Sequence, residues 1–215
     1  MTQLLIQDVG YVVDQQVILQ HIDLSVAAGD YITITGPSGS GKSTLLKLMA
    51  SLLTPTTGQI QLNQTKIDSI LPSDYRKQVS YCFQQPTLFG ETVADNLYFP
   101  FEIRQIPVDQ SLIQQRLEQV GLNRTYLTKK VTALSGGEKQ RIALIRNLMF
   151  KPTILLLDEV STGLDADNKA IVNQLITHFN EVEGVTVVSV THDQQELQRK
   201  GRQLRMVAGQ WVTTI

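Results

Sequence analysis

The sequence predicts an α/β fold: a parallel sheet flanked by helices, with an antiparallel β portion near the N-terminus. Three observations predict it. A β-branched stretch, Tyr31 to Thr35, runs into a glycine-rich loop, Gly36-Pro37-Ser38-Gly39-Ser40-Gly41, and then into residues at helical spacing. A continuous apolar run, Ile154–Leu157, ends in Asp158-Glu159, as in a strand buried on both faces of a parallel sheet. Strand-like and helix-like stretches alternate along much of the chain.

The elements follow in order. Residues 4–9 and 17–26 alternate apolar and polar side chains, the period of a strand with one buried face. Gly29-Asp30 is a turn, and Tyr31–Thr35 the next strand. From Ser43 to Leu53 apolar residues recur at helical spacing (Leu45, Leu48, Met49, Leu52), until Pro55 and Gly58 stop the pattern. Two further strands are expected at Gln59–Leu62 and Val79–Phe83. Residues 86–131 read as a helical insertion punctuated by Pro86, Pro100 and Pro107, with a helix at Val108–Val120. Ser135 opens a helix to about Phe150. A strand at Ile154–Leu157, a helix at Asp167–Val182, a strand at Val185–Thr191 and a short helix at Gln194–Lys200 come next. Gln203–Val212 reads as two short strands around Ala208-Gly209.

A chain of 215 residues can build one sizeable core, or two small ones. Apolar residues make up 42% and charged residues 18%, as in ordinary globular proteins. A formal net charge of −1 leaves no basic footprint for nucleic acid. The single cysteine, Cys82, cannot form an internal disulfide, and no Cys/His cluster has zinc spacing; both fit residence inside the cell. No secretory signal and no run of about 20 apolar residues is visible, so any membrane part is expected from another chain.

Gly36-x-x-x-x-Gly41-Lys42-Ser43 satisfies the P-loop pattern in full. Its glycines let backbone N–H groups turn inward around phosphate, and the following helix adds its positive end. The candidate cradle is Gly36, Pro37, Ser38, Gly39, Ser40, Gly41, Lys42, Ser43 and Thr44. Lys42 is read as the cation for the β- and γ-phosphates and Ser43 as a Mg²⁺ ligand. Alone, the loop does not separate kinase from GTPase from ATPase. Ile154-Leu155-Leu156-Leu157-Asp158 is a Walker B pattern, in which the strand delivers Asp158 to the metal side of the nucleotide. Glu159, next to it, points elsewhere and is read as the general base for the attacking water. Ser135-Gly136-Gly137-Glu138 forms a capping box before a helix. The helix it opens also presents free N–H groups to an anion.

The order P-loop, Leu134-Ser135-Gly136-Gly137-Glu138, Asp158-Glu159 resembles the ATP-binding cassette (ABC) family over nearly the whole chain. The signature is LSGGQ in its common form, so Glu138 stands where glutamine is usual. The resemblance implies a P-loop NTPase fold with a RecA-like parallel core, an antiparallel β portion and a helical signature subdomain. A single ABC ATPase domain would then span 1–215, with residues 1–85 and 151–215 forming the core and 86–150 the helical part. It implies that ATP and Mg²⁺ bind between two head-to-tail copies, each site using one chain's P-loop and the other's Ser135, Gly136 and Gly137. Gln84 matches the Q-loop glutamine, His192 the H-loop histidine that contacts the γ-phosphate, Asp165 the D-loop and Tyr11 the aromatic that stacks on adenine. Gln84 is also expected on the metal side. Gly163 stands where alanine is frequent in the family.

Among ABC proteins, the segments ITGPSGSGKSTLLKLMASL, VSYCFQQPTLFGETVADNLYFPFEIR and LSGGEKQRIALIRNLMFKPTILLLDEVSTGLD resemble the ATP-binding subunits of bacterial iron-efflux transporters. That resemblance implies a separate multi-spanning permease at the inner membrane, with this chain peripheral on the cytoplasmic side. The apolar excess of Pro86–Arg104 (Leu88, Phe89, Val93, Leu97, Tyr98, Phe99, Phe101, Ile103) marks the expected dock. The rival readings are a soluble ABC ATPase that assembles iron–sulfur clusters, and a P-loop small-molecule kinase. What docks at Pro86–Arg104 separates the first rival from a transporter, and the signature string argues against the second.

Overall fold

The computed structural model describes residues 2–212. Two sheets share the chain. The first is antiparallel and four-stranded, in the order β2-β1-β4-β5, with β1 at Thr2–Val13, β2 at Gln16–Ala27, β4 at Thr57–Leu62 and β5 at Thr65–Lys66. The second has six strands, β10-β9-β3-β8-β7-β6. Its strands are β3 (Tyr31–Thr35), β6 (Val79–Cys82), β7 (Ile154–Asp158), β8 (Thr186–Val190), β9 (Arg202–Val207) and β10 (Gln210–Val212). All its pairings are parallel except β9 with β10. Every residue of β7 and β8 is buried, as expected for strands with helices on both faces.

The helices are α1 (Lys42–Met49), α2 (Pro72–Gln78), α3 (Val93–Glu102), α4 (Gln110–Gln119), α5 (Gly136–Asn147), α6 (Ala166–Glu181) and α7 (Gln194–Leu197). Two apolar clusters form the interior. One joins the antiparallel sheet to α1 and one face of the parallel sheet, around Leu4, Ile22, Leu45 and Ile34. The other joins α3, α4, α5 and α6 to the opposite face, around Leu97, Leu117, Ile145, Leu157 and Phe179. The parallel sheet therefore lies between the two.

Several elements differ from their expected extents, for local reasons. Strand β1 continues to Val13, beyond residue 9. Asp8 takes φ +47 and the register with β2 shifts between Ile6 and Val9, so the alternation breaks while the pairing goes on. Helix α1 stops at Met49, because Ser51 turns left-handed at φ +53 and Leu52 N–H returns to Lys47 O. Pro100 lies inside α3 instead of ending it, and the helix closes two residues later while Arg104 Nη1 donates to the Pro100 carbonyl at 3.1 Å. Helix α2 has no expected counterpart: its seven residues, opened by Pro72, are too short to show a period.

Candidate functional site

Strand β3 ends in the glycine loop, whose shape depends on backbone that only glycine tolerates. Gly36 has φ +143, and a Cβ there would fall 1.9 Å from the Met206 carbonyl oxygen. The β9–β10 turn braces the same loop, with Gly209 N–H donating to Ser40 O at 3.0 Å. The loop walls a cleft of about 450 Å³, lined also by Ile18, Gln84 and Glu159. Lys42 is the cation among its lining residues. Its ammonium donates to the carbonyls of Gly36 and Pro37, both at 2.9 Å. Burial lowers the Lys42 pKa from the ordinary lysine value, while Glu159 and Asp158 act the other way. A phosphate entering the loop would take the place of the two carbonyls and restore full charge pairing.

Strand β7 delivers two carboxylates that face different neighbours. Asp158 is buried: its Oδ1 accepts from Ser43 Oγ at 2.8 Å and its Oδ2 from Tyr81 OH at 2.6 Å. Glu159 follows at φ +50, a left-handed conformation that costs a non-glycine residue roughly 1–2 kcal/mol. Its N–H is bonded to Val190 O at 3.0 Å, which fixes the turn against β8. The side chain swings toward the cleft. Its Oε2 accepts from Gln84 Nε2 at 3.2 Å, and its Oε1 lies 3.4 Å from His192 Nε2. One carboxylate is thus held at the hydroxyl of the loop, and the other between an amide and an imidazole. This division suits metal binding by Asp158 and proton acceptance by Glu159.

The donor chemistry also suits Mg²⁺. Ser43 Oγ and Asp158 Oδ1 are hard oxygens in contact at the foot of the loop. Among the described residues no group of three or more His, Cys, Asp or Glu could hold a metal ion without other ligands. A Mg²⁺ here would share its coordination with nucleotide phosphates and water, its usual mode.

The structure brings Lys42, Ser43, Gln84, Asp158, Glu159 and His192 to one end of the parallel sheet. It keeps Ser135, Gly136, Gly137 and Asp165 out of the cleft lining. Ser135 caps α5: its Oγ accepts from Glu138 N–H at 3.2 Å, and Glu138 Oε2 accepts from Ser135 N–H at 2.7 Å. Ser135 and Gly136 are exposed, and no atom crowds Gly136. Gly137 packs so close to Asn168 that a Cβ would fall 2.5 Å from its side chain. Asn168 in turn donates to Asp165, the N-cap of α6, so the signature turn and Asp165 form one connected surface. Tyr11 lies within β1 opposite Leu19, half-buried against the core, and is not part of the cleft lining; its neighbour across the hairpin, Ile18, is.

Tyr81, Ile18 and Asn168 were not evident from the sequence. Tyr81 precedes the glutamine by three positions, and only the pairing of β6 with β7 shows that it reaches Asp158. A second concave region lies beside β6, an edge strand of the parallel sheet. Phe99, Ile103, Arg104 and Phe150 line a hollow of about 100 Å³, and Leu52, Val79 and Phe83 an adjoining one of about 190 Å³. Arg76, Ser80 and Asn147 belong to both.

A glycine loop on a parallel strand, with a buried Asp at its serine and an adjacent Glu, defines a P-loop nucleoside triphosphatase. The profile of the family described as "ABC transporter" matches residues 19–162. The chain belongs to the ABC transporter family, and it is an ATP-binding, ATP-hydrolysing cassette. It is 48% identical over 192 residues to the probable iron export ATP-binding protein FetA of Escherichia coli (strain K12), covering 89% of this chain and 85% of that one. It is 35% identical over 216 residues to the energy-coupling factor transporter ATP-binding protein EcfA1 of Halalkalibacterium halodurans, covering 96% of this chain and 76% of that one. Among solved structures, the ATP-binding cassette MJ0796, a dimer in a post-hydrolysis state bound to ADP and Pi, superposes with a TM-score of 0.86 at 28% identity, covering 96% of this chain and 95% of that one.

Proposed function

We propose that this chain powers a separate membrane permease by hydrolysing ATP between two head-to-tail copies of itself. The observation that carries the reading is the split site. Lys42, Asp158, Glu159 and His192 gather at one end of the sheet, while the helix N-terminus at Ser135–Gly137 lies outside the lining of that cleft. An anion-binding turn that its own nucleotide cannot use suits the nucleotide of a second copy. The MJ0796 cassette, a dimer bound to ADP and Pi, supports the dimeric part of this reading.

In this reading the loop N–H groups and Lys42 would hold the phosphates, Tyr11 would stack on adenine beyond the cleft lining, and Ser43, Asp158 and Gln84 would hold Mg²⁺. The bound Mg²⁺ would neutralise charge on the β- and γ-phosphates. Glu159 accepts the proton of the attacking water, with Gln84 and His192 fixing its side chain. Asp165 meets the partner copy. Residues 86–150 form a helical subdomain on a core made of 1–85 and 151–215. ATP closes the dimer because the closed state alone adds the contacts from Ser135–Gly137.

The permease docks where residues 86–104 meet the core. Phe89, Phe99 and Ile103 are 39%, 39% and 44% exposed there, while Val93, Leu97 and Phe101 are core. Among the described residues no helix is long and apolar enough to cross a membrane. In this reading the chain sits on the cytoplasmic side of the inner membrane through its permease, as a transporter subunit similar to FetA would. Similarity to FetA makes iron export the best-supported transport reaction, and the choice of ion falls to the permease.

The composite site is tested by mixing Ser135→Arg with Lys42→Ala. Each variant alone should be inactive. A mixed head-to-tail dimer has one site carrying both lesions and one carrying neither, so activity should partly return. Proven mixed dimers without any recovery would overturn the geometry unless both sites must fire together, which a covalently linked dimer bearing both lesions in one site resolves. Iron export is tested by ATP-driven movement of Fe²⁺ in vesicles holding both proteins; movement of some other cargo and no iron would overturn it.

A further inference from the structure

The signature turn contains a charge conflict. The first N–H groups of α5 and its positive dipole end favour an anion at Ser135–Gly137. Glu138, the third residue of that helix, already places a carboxylate in the same turn. The carboxylate strengthens the isolated helix, yet it repels a phosphate arriving there.

Three neighbours hold that carboxylate. Lys129 Nζ donates to Glu138 Oε1 at 3.0 Å, and Tyr126 OH donates to the same oxygen at 2.7 Å. Glu138 Oε2 is engaged by Ser135 N–H. The ammonium also sits 4.4 Å from the centre of the Tyr126 ring. The backbone carrying Lys129 is fastened to the start of α3 and not to α5. Lys129 O accepts from Val93 N–H at 3.1 Å, Val131 N–H donates to Glu91 O at 2.9 Å, and Thr92 bridges Lys130 as an isolated antiparallel pair.

We propose that Lys129 is a positioning residue for the nucleotide held by a second copy of this chain. Its ammonium offsets the Glu138 carboxylate, so the free N–H groups at Ser135–Gly137 accept a phosphate. This deepens the head-to-tail reading and rests on it. The residues that hold the Lys129 backbone, Glu91, Thr92 and Val93, belong to the docking segment, so that segment sets where the counter-charge stands.

The test uses the full chain carrying Glu159→Gln, so that hydrolysis does not consume the ligand. The readouts are the ATP–Mg²⁺ concentration giving half dimer, by light scattering, and the ATP affinity of the monomer, by titration with a fluorescent ATP analogue. Lys129→Met should raise the half-dimer concentration about tenfold, the scale of one uncompensated charge in the first turn of a helix. The chain's own ATP affinity should stay unchanged. Lys129→Arg should behave as the parent. Adding Glu138→Gln to Lys129→Met should restore the parent midpoint, because glutamine keeps the cap on Ser135 N–H without the charge. A merely structural tie predicts the opposite, since removing both partners loosens the turn further. An unchanged midpoint in Lys129→Met, or no recovery in the double variant, overturns the proposal and leaves the head-to-tail reading standing. A parent chain that never dimerises with ATP overturns closure by the isolated chain, and this proposal with it.

Discussion

Gln84 donates a hydrogen bond to Glu159, Nε2 to Oε2 at 3.2 Å, and so ties the loop leaving β6 to the end of β7. Two residues after Gln84 the docking segment begins. Its first turn is anchored from behind: Asn96 accepts from Phe89 N–H and donates to Phe89 O, and Arg146 on α5 donates to Asn96 Oδ1 at 2.9 Å. Between the proposed general base and the proposed dock there are thus only Gln84 and a short loop. The signature helix reaches the same loop from its other end through Arg146.

Lys42→Ala should abolish hydrolysis and greatly weaken ATP binding. No other cation lines the cleft among the described residues, so nothing takes over the phosphate charge. The loss should reach at least about 10²-fold in turnover, as when a preorganised charge is removed from a transition state. Turnover and ATP affinity of the purified variant check it; near-normal turnover would remove the nucleotide site from this loop.

Phe89→Asp should leave basal ATP hydrolysis intact and abolish co-purification with the permease. Phe89 is partly exposed; its ring meets Phe99 edge-on at 4.9 Å, and the Arg146 guanidinium lies 5.2 Å from its centre. Losing one aromatic pair costs roughly 1 kcal/mol, which the fold should survive. Retained binding to the permease would move the dock elsewhere.

The linear motifs were legible because each lies on one element and its immediate loop. The Gly36–Ser43 loop, Asp158-Glu159 after four apolar residues, and Ser135-x-x-Glu138 before a helix each announce their local structure. What sequence could not show is set by pairing between distant strands. Tyr81 reaches Asp158 because Val79 pairs in parallel with Ile154, and Ile18 enters the cleft lining through the register of β1 with β2. Leu52 and Phe83, which line the second hollow, come from the loops after α1 and β6 and share no pattern with residues 86–104. Pro100 punctuates the sequence pattern but does not end α3, which runs two residues past it.

Glu138→Gln should flatten the acid limb of the stability curve. Partial burial pushes the Glu138 carboxyl up, but the hydrogen bonds from Tyr126, Ser135 N–H and Lys129, with the Lys129 charge, carry it down to about 2 from the usual 4.5. A carboxyl depressed on folding stabilises the fold above its unfolded pKa, and that contribution fades as pH falls through its folded pKa. The stability gap between wild type and Glu138→Gln should be full at neutral pH and should close between pH 4.5 and about 2. Urea midpoints across that window read it. Parallel curves would mean that the carboxylate adds nothing beyond the cap that glutamine also makes.

Glu159→Gln should bind ATP–Mg²⁺ normally and hold the dimer closed. Glutamine keeps the size of the side chain and can still bond to Gln84, but it cannot take a proton from water. A general base contributes about 10²–10⁴-fold, so hydrolysis should fall by that order while the ground state barely changes. Asp158→Asn should differ, because Asp158 accepts from both Ser43 and Tyr81 and no longer offers a charge at the foot of the loop. It should lower affinity for ATP–Mg²⁺ as well as turnover. With chemistry stalled in Glu159→Gln, the closed dimer reopens only by releasing ATP. Size-exclusion chromatography should then show monomer without nucleotide and dimer with ATP–Mg²⁺. Hydrolysis at the wild-type rate would mean that Glu159 is not the base, and that its place between Gln84 and His192 has a structural meaning only. An inactive variant that stays monomeric would keep the catalytic role but defeat closure by the isolated chain. The permease would then have to hold the two copies together before ATP could join them.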